Sequence, residues 1–289
     1  MPHGTLEVGS VVVTALCDGV VLGSDARQSF PGASEDVWAQ ALARHPQVFG
    51  PDARWRLHVH AFVLRSGGRT ILLDTGIGPR SAPAFGWTST HGHLPEELAS
   101  AGVSASEVDD VVITHVHDDH IGWTVADGTD TPMFPNATYL VHRADWDLMA
   151  NATDGEDRGI FAAVLAPLER AGVLELTGDR RALTDELTLV HAPGHTPGHQ
   201  VVEVDSGGTR ALMSGDLVNH PVQLLQPGVN GKTDMIPELA ATTRAAWLRR
   251  ANEEDRTVCP MHFPAPFGRF APDGERHDWQ PIEGASAPA

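Results

Sequence analysis

The stretch Thr114-His115-Val116-His117-Asp118-Asp119-His120 decides the reading of this chain. It packs an H-x-H-x-D-H pattern of imidazole and carboxylate donors directly behind the apolar run Val111-Val112-Ile113. Further donors follow in order: His195 in His191-Ala192-Pro193-Gly194-His195, Asp216 in Ser214-Gly215-Asp216, and His262 in Pro260-Met261-His262. Upstream stands Leu73-Asp74-Thr75-Gly76. Nitrogen and oxygen donors in this mixture suit zinc and other first-row divalent ions. Metal-assisted hydrolysis is therefore the leading expectation.

The spacing gives the donors a division of labour. Val111 to Ile113 reads as a short buried strand, and alternate residues at a strand end can turn to one side, so His115 and His117 converge. Asp119 and His120 are expected at the start of a helix, where the chain changes direction and faces a second point. His195 would complete three histidines around one ion. His262 would join Asp119 and His120 around another, and Asp216, with two oxygens, can bridge both. Two divalent ions, two carboxylates and a hydroxide leave such a centre at about +1, which stabilises a developing oxyanion. A bridging water would have its pKa lowered to near ~7.

Composition narrows the rest. The 289 residues carry 20 Lys+Arg against 38 Asp+Glu, a net charge of −18. That charge disfavours nucleic acid and anionic membrane as partners. Apolar residues make up 41% of the chain, ordinary for a well-cored globular protein. Cys17 and Cys259 are the two cysteines, far apart and outside any C-x-x-C, so no disulfide framework is expected. Met1-Pro2-His3-Gly4 has neither a basic nor a long apolar region, so no signal peptide is expected. No apolar run approaches the roughly 20 residues of a membrane span. The expected location is the cytoplasm.

Along the chain, Val11 to Cys17 and Val20 to Leu22 flank Asp18-Gly19, a two-residue hairpin signal. Leu57 to Arg65 and Thr70 to Asp74 flank Ser66-Gly67-Gly68, and Gln200 to Val204 and Arg210 to Met213 flank Asp205-Ser206-Gly207-Gly208. Helices are expected from Ser34 to Arg44 with a serine N-cap, after Pro95, from Ala144, from Phe161 to Ala171, and over Pro237 to Ala251. Ser104-x-x-Glu107 reads as a capping box. One domain over residues 1–272 and a loose, Pro/Gly/Ala/Ser-rich tail over 273–289 are expected. Ser24 to Phe49 reads as a lid or dimer arm.

The ordered set H-x-H-x-D-H, G-H, G-D and late H, with Leu73-Asp74-Thr75-Gly76, resembles the metallo-β-lactamase fold superfamily over roughly Leu6 to Phe270. The resemblance implies an α/β fold, a four-layer αββα sandwich, with the site at one edge between the sheets. Asp119-His120-Ile121-Gly122-Trp123, His195-Thr196-Pro197-Gly198-His199 and Gly215-Asp216-Leu217-Val218 are similar to the branch of N-acyl homoserine lactone lactonases and methyl parathion hydrolases. Pro221-Val222-Gln223-Leu224 and Met261-His262-Phe263-Pro264 look most like the methyl-parathion-hydrolase-like members. Standard lactonases of this branch often use an active-site tyrosine; the single tyrosine here, Tyr139, sits in a strand and matches no such motif.

The expectation is thus a dinuclear metal-dependent hydrolase of an ester or lactone, acyl homoserine lactones included, acting through a metal-bridging hydroxide. The cofactors would be two divalent ions, zinc first, with manganese, cobalt or iron as substitutes. Asp119 or Asp216 would relay a proton to the leaving group. Organophosphate triester hydrolysis of the methyl parathion hydrolase type is the second reading. A mononuclear iron dioxygenase and a non-catalytic metal-binding protein on the same fold are the rivals; the complete donor set favours hydrolysis over both. Asp74 is expected outside the ligand set, accepting the far ring N–H of a ligand histidine. Phe85, Trp87, Trp123, Phe134 and His220 are candidates for the substrate pocket, which would take a small molecule. His142, His191 and His199 read as structural, and Asp118 as a local hydrogen-bond acceptor. Relatives of this kind are often dimers, so the resemblance implies a homodimer.

Overall fold

A computed structural model describes residues 4–274 and 276–282. Among these residues, fourteen strands form two seven-stranded sheets, and each half of the chain builds one of them. The first sheet runs in sequence order: β1 (Gly4–Val8), β2 (Val11–Asp25), β3 (Arg54–Ser66), β4 (Arg69–Leu73), β5 (Asp110–Val112), β6 (Thr138–His142) and β7 (Leu174–Thr177). The second comprises β8 (Arg180–Ala182), β9 (Leu187–His191), β10 (Gln200–Ser206), β11 (Thr209–Gly215), β12 (Thr257–Pro260), β13 (Gly268–Asp273) and β14 (Arg276–Pro281). β4, β5, β6 and β7 pair in parallel, as do β11 and β12.

Strand periodicity sorts the side chains into layers. On β3, Phe62 and Leu64 face the second sheet and join Val11, Val13, Leu189 and Met213 in the central core. Their neighbours Ala61 and Val63 face outward, where they meet Leu98, Met149 and Leu168 from the helices covering the first sheet. On the second sheet, Val201, Leu212 and Val258 point outward under Trp247 and Leu248 of the helix Pro237–Glu253. Helices, sheet, sheet, helix is the four-layer αββα sandwich, as expected. No helix among the described residues is long and apolar enough to cross a membrane.

Two local expectations change. Asp18-Gly19 is not a hairpin turn: β2 runs unbroken through it, with a bulge in its pairing to β3 between Cys17 and Gly19. Asp18 is fully buried, and its two oxygens accept N–H groups from Ile77 and Gly78 on one side and Leu94 and Trp123 on the other. Burial still pushes this carboxyl up to about 6. The stretch read as a loose tail contains β14, which pairs with β13 and buries Trp279 against Phe263 and Phe270; residues 283–289 lie outside the described ones. Ser24 to Phe49 packs down: Phe30, Val37, Trp38 and Phe49 meet Val222, Leu225 and Val229, behind the loop that follows Asp216.

His220 sits at the centre of that contact, ringed by Phe30 and Phe49 at 5.2 Å, Trp38 at 5.7 Å and Trp55 at 6.0 Å. It is fully buried, and its Nδ1 accepts the Val222 N–H. It is therefore a core residue and not part of a substrate pocket. Burial, with His45 nearby, drops its pKa to about 3 from the 6.5 of a free imidazole. The folded form thus resists a proton that the unfolded chain accepts, so its contribution is fully present above pH 6.5 and drains as pH falls toward 3. Between pH 7 and 4 the wild type is expected to lose about 3 kcal/mol more stability than His220→Phe, which keeps the aromatic packing. Denaturant midpoints across that range measure it, and parallel profiles for the two proteins would contradict it.

Candidate metal centre

The donor residues gather at the C-terminal ends of strands from both sheets. Asp74 follows β4, the His115 run follows β5, His195 follows β9, Asp216 follows β11 and His262 follows β12. The run itself forms no helix; it is an irregular loop with a turn at Asp118 to His120, where the His120 N–H bonds the His117 carbonyl at 3.1 Å. That turn, rather than a helix start, sends Asp119 and His120 away from His115 and His117.

Two donor groups result. His115 Nε2 and His195 Nε2 each lie 3.0 Å from His117 Nδ1. Asp119, His120 and His262 form the second group, with Asp119 oxygens 3.7 Å from both ring nitrogens. Asp216 stands between: Oδ2 is 3.3 Å from His195 Nε2 and 3.9 Å from His115 Nε2, while Oδ1 is 3.4 Å from His120 Nε2 and 3.1 Å from His262 Nε2.

The far nitrogens fix what the near ones offer. His120 Nδ1 donates to Asp74 at 2.7 Å, His195 Nδ1 to Asp234 at 2.8 Å, and His262 Nδ1 to the His58 carbonyl at 2.8 Å. His115 Nδ1 donates to Thr114 Oγ1, whose own proton goes to Asp74. Each of these four rings therefore turns its Nε2 inward, where it can carry a proton or a metal ion. Lone pairs held about 3 Å apart repel unless a cation sits among them, and tetrahedral Zn–N bonds of ~2.0–2.1 Å require donors ~3.3 Å apart. His120 Nε2 and Asp216 Oδ1 are buried without a hydrogen-bond partner, a cost a native site does not leave unmet. These residues fit a pair of divalent ions.

Electrostatics divide the donors: burial opposes charge on His120, His195 and His262, but the facing carboxylates, Asp216 above all, outweigh it and raise all three, His195 to about 9, so the cluster favours positive charge at these nitrogens. Burial pulls the His115 and His117 pKa values far down, so both stay neutral donors. Burial opposes charge on Asp216, but the facing His262 and His120 imidazoles and hydrogen bonds from His120 and His195 hold its carboxyl well below the usual range. Asp74, fully buried, takes the Thr114 N–H and hydroxyl as well as the His120 ring N–H.

Residues that sequence reasoning passed over complete the support. Asp145, buried, accepts the Val116 N–H at 3.1 Å, the Thr196 hydroxyl at 2.8 Å and the Gly198 N–H at 2.6 Å, joining the His117 and His195 loops. His199 accepts the Asp216 N–H and donates to the Ala192 carbonyl, a structural role as expected. Asn219 Nδ2 donates to Asp216 Oδ2 at 2.9 Å; its place three residues after Asp216 was the available signal. His142, His191 and Asp179 also cluster, but His142 Nδ1 accepts the Ala144 N–H, which puts the ring proton on Nε2 and removes the lone pair a metal needs.

A cavity of about 770 Å³ opens beside the donors, reaching His117, Asp119, Asp216 and His262. Its apolar wall comprises Leu22, Trp55, Leu57, Met149, Ile160 and Met235, with Arg54, Lys232 and Glu156 among its charged groups. Of the expected pocket residues, Trp87 lines it, its indole donating to Asp118 at 2.6 Å. Phe134 is buried in the core beneath the helices, where long-range packing claims it. Trp123 spends its N–H on Asp18, and Phe85 lies under the Arg80 guanidinium; neither lines the cavity. Tyr139 is buried, its hydroxyl donating to the Thr124 carbonyl and accepting the Phe134 N–H, so it takes no part.

Residues 54–262 match the family model described as the metallo-beta-lactamase superfamily. The chain belongs to this superfamily. Within the metallo-beta-lactamase superfamily it is 28% identical over 193 residues to the probable metallo-hydrolase Rv2300c of Mycobacterium tuberculosis, covering 56% of this chain and 57% of that protein. It is 27% identical over 188 residues to the N-acyl homoserine lactonase AttM of Rhizobium radiobacter, covering 61% and 65%. The match thus spans under two thirds of the length of these curated relatives. The fold is shared with AidC, a dizinc quorum-quenching lactonase seen with the product N-hexnoyl-L-homoserine, at a TM-score of 0.82, 23% identity and 97% coverage of both chains. AbOPH, a hydrolase of the beta lactamase superfamily, gives 0.80, 24% and 97% of each.

Proposed function

We propose that this protein is a two-metal hydrolase that opens lactones or esters carrying an apolar group. The observation that carries the reading is Asp216, whose two oxygens face two separate donor sets at the floor of one cavity. His115, His117, His195 and Asp216 would hold one ion, and Asp119, His120, His262 and Asp216 the other. Ions held there supply an activated water at neutral pH and polarise the oxygen under attack. The chain's own groups do the rest. Asp74 and Asp234 orient imidazoles through their far N–H groups, and such partners raise ligand basicity. Asp119 reaches both the donor cluster and the cavity, which suits it to carry a proton to the leaving oxygen. The apolar wall excludes water and takes the acyl or aryl part of the substrate. A lactone ring is the leading electrophile, in keeping with the relatives named N-acyl homoserine lactonases.

Chelation is expected to abolish turnover, and Zn²⁺, Mn²⁺ or Co²⁺ to restore it. A panel of homoserine lactones with short and long acyl chains, aryl esters, phosphotriesters and β-lactams, assayed on the reloaded protein, tests the substrate class. Turnover that survives full metal removal would sink the mechanism, and activity confined to phosphotriesters would move the substrate class.

A further inference from the structure

Residues 226–236 link the short helix Val222–Leu225 to the long helix Pro237–Glu253 and contain no helix or strand. Lys232, Thr233 and Met235 from this segment line the cavity. Three bonds tie the end of the segment to the His195 loop. Asp234 Oδ1 accepts the His195 Nδ1–H at 2.8 Å, the Met235 N–H bonds the His195 carbonyl at 2.9 Å, and the Ile236 N–H bonds the Gly194 carbonyl at 2.9 Å. The other oxygen of Asp234 takes the Arg244 guanidinium and the Gly231 N–H, both at 2.9 Å. Arg244, 1% exposed, also donates to the Leu217 carbonyl and to the Pro227 and Val229 carbonyls of the segment itself, a second anchor beside the His195 loop.

We propose that Asp234 is a positioning residue that makes this wall of the cavity conditional on an ion at the three-histidine position; the proposal rests on the metal-centre reading above. The His195 ring is shared between two jobs: Nε2 faces His117 at 3.0 Å and Nδ1 faces Asp234. A cation on Nε2 fixes the ring and makes Nδ1–H a stronger donor to the Asp234 carboxylate. Without it, the ring is held by hydrogen-bond contacts alone, to His117 and Asp216 on one side and Asp234 on the other, and a turn of His195 breaks the bond to Asp234. Coupling of this kind is reciprocal: the segment that presents Lys232 and Met235 to a substrate also steadies a ligand of the ion.

The sequence supplies a clean readout. Lys232 is the only lysine in the chain, and it is exposed, so a lysine-specific endoprotease has one cleavage point, inside this segment. Zinc-loaded full-length protein is expected to be cut at least tenfold more slowly than the chelated protein, followed by intact mass. Asp234→Ala is expected to lose most of that protection and to bind zinc about 10- to 100-fold more weakly. Asp234→Asn, which keeps an oxygen acceptor for Nδ1–H, is expected to regain part of both. Because Asp234→Ala strands a buried guanidinium, the double variant Asp234→Ala/Arg244→Met is run beside it, with circular dichroism to confirm folding; it too should lack zinc-dependent protection. Equal cleavage of wild type with and without zinc, or wild-type protection in folded Asp234→Ala variants, overturns the proposal. The assay needs no substrate: zinc-dependent protection in a protein that hydrolyses nothing on the panel would remove the functional reading and leave this one standing.

Discussion

Replacing Asp216 by alanine is expected to lower kcat/KM by about three to four orders of magnitude, equivalent to roughly 4–5.5 kcal/mol of transition-state stabilisation. The reason is geometric. Oδ1 lies within 3.4 Å of His120 and His262 nitrogens, and Oδ2 lies 3.3 Å from that of His195. No other carboxylate among the described residues touches both donor groups. Without it, each set keeps three donors but nothing joins them, and Asn219 loses the oxygen it steadies. Bound zinc should fall from two equivalents to one or fewer. Asp216→Asn, which keeps the size and one acceptor oxygen but not the charge, should fall between. Elemental analysis and steady-state kinetics on the same preparations decide the matter; an alanine variant with full metal content and an undiminished rate would refute the bridging role.

The second large effect concerns stability. Asp145→Ala leaves the Val116 and Gly198 N–H groups and the Thr196 hydroxyl buried without their acceptor. An unsatisfied buried donor costs about 1–3 kcal/mol, and with partial relaxation the total is about 4 kcal/mol, or about 6 °C in Tm for a chain of this size. The loss should extend to the metal centre, because Val116 sits between His115 and His117, and Thr196 follows His195. Calorimetry with parallel zinc titration measures both, and an unshifted Tm with wild-type zinc affinity would show that the two loops hold their shape unaided.

The donor run was legible because its chemistry is local: four donors crowd six positions behind a buried strand. His195, Asp216 and His262 were legible through their order and the glycines beside two of them. Gly215 shows why: it has φ +50°, and a Cβ there would lie 2.5 Å from His199 Nε2. Asp145 and Asp234 were invisible because Asp145 works through partners 29 to 53 residues away, and Asp234 reaches the site through His195, 39 residues away, which no spacing rule reports. Asp18-Gly19 has the composition of a turn, yet donors from three distant segments claim the carboxylate and keep the strand straight. Phe134 and His220 stood near motif residues, but proximity in sequence does not say which way a ring points. β14 was hidden by the Pro/Gly-rich composition around it, although Phe270 and Trp279 are cross-strand partners in its hairpin with β13.

Because each sheet is built by one half of the chain, the seven candidate donors divide between them, four with the first and three with the second. Ions seated at that seam would rivet one half of the polypeptide to the other. Resistance to heat should therefore track free metal in the buffer by mass action, gaining about 2.7 kcal/mol at a hundredfold excess over Kd. A scarcity of metal would then weaken the molecule along its midline as well as silence it.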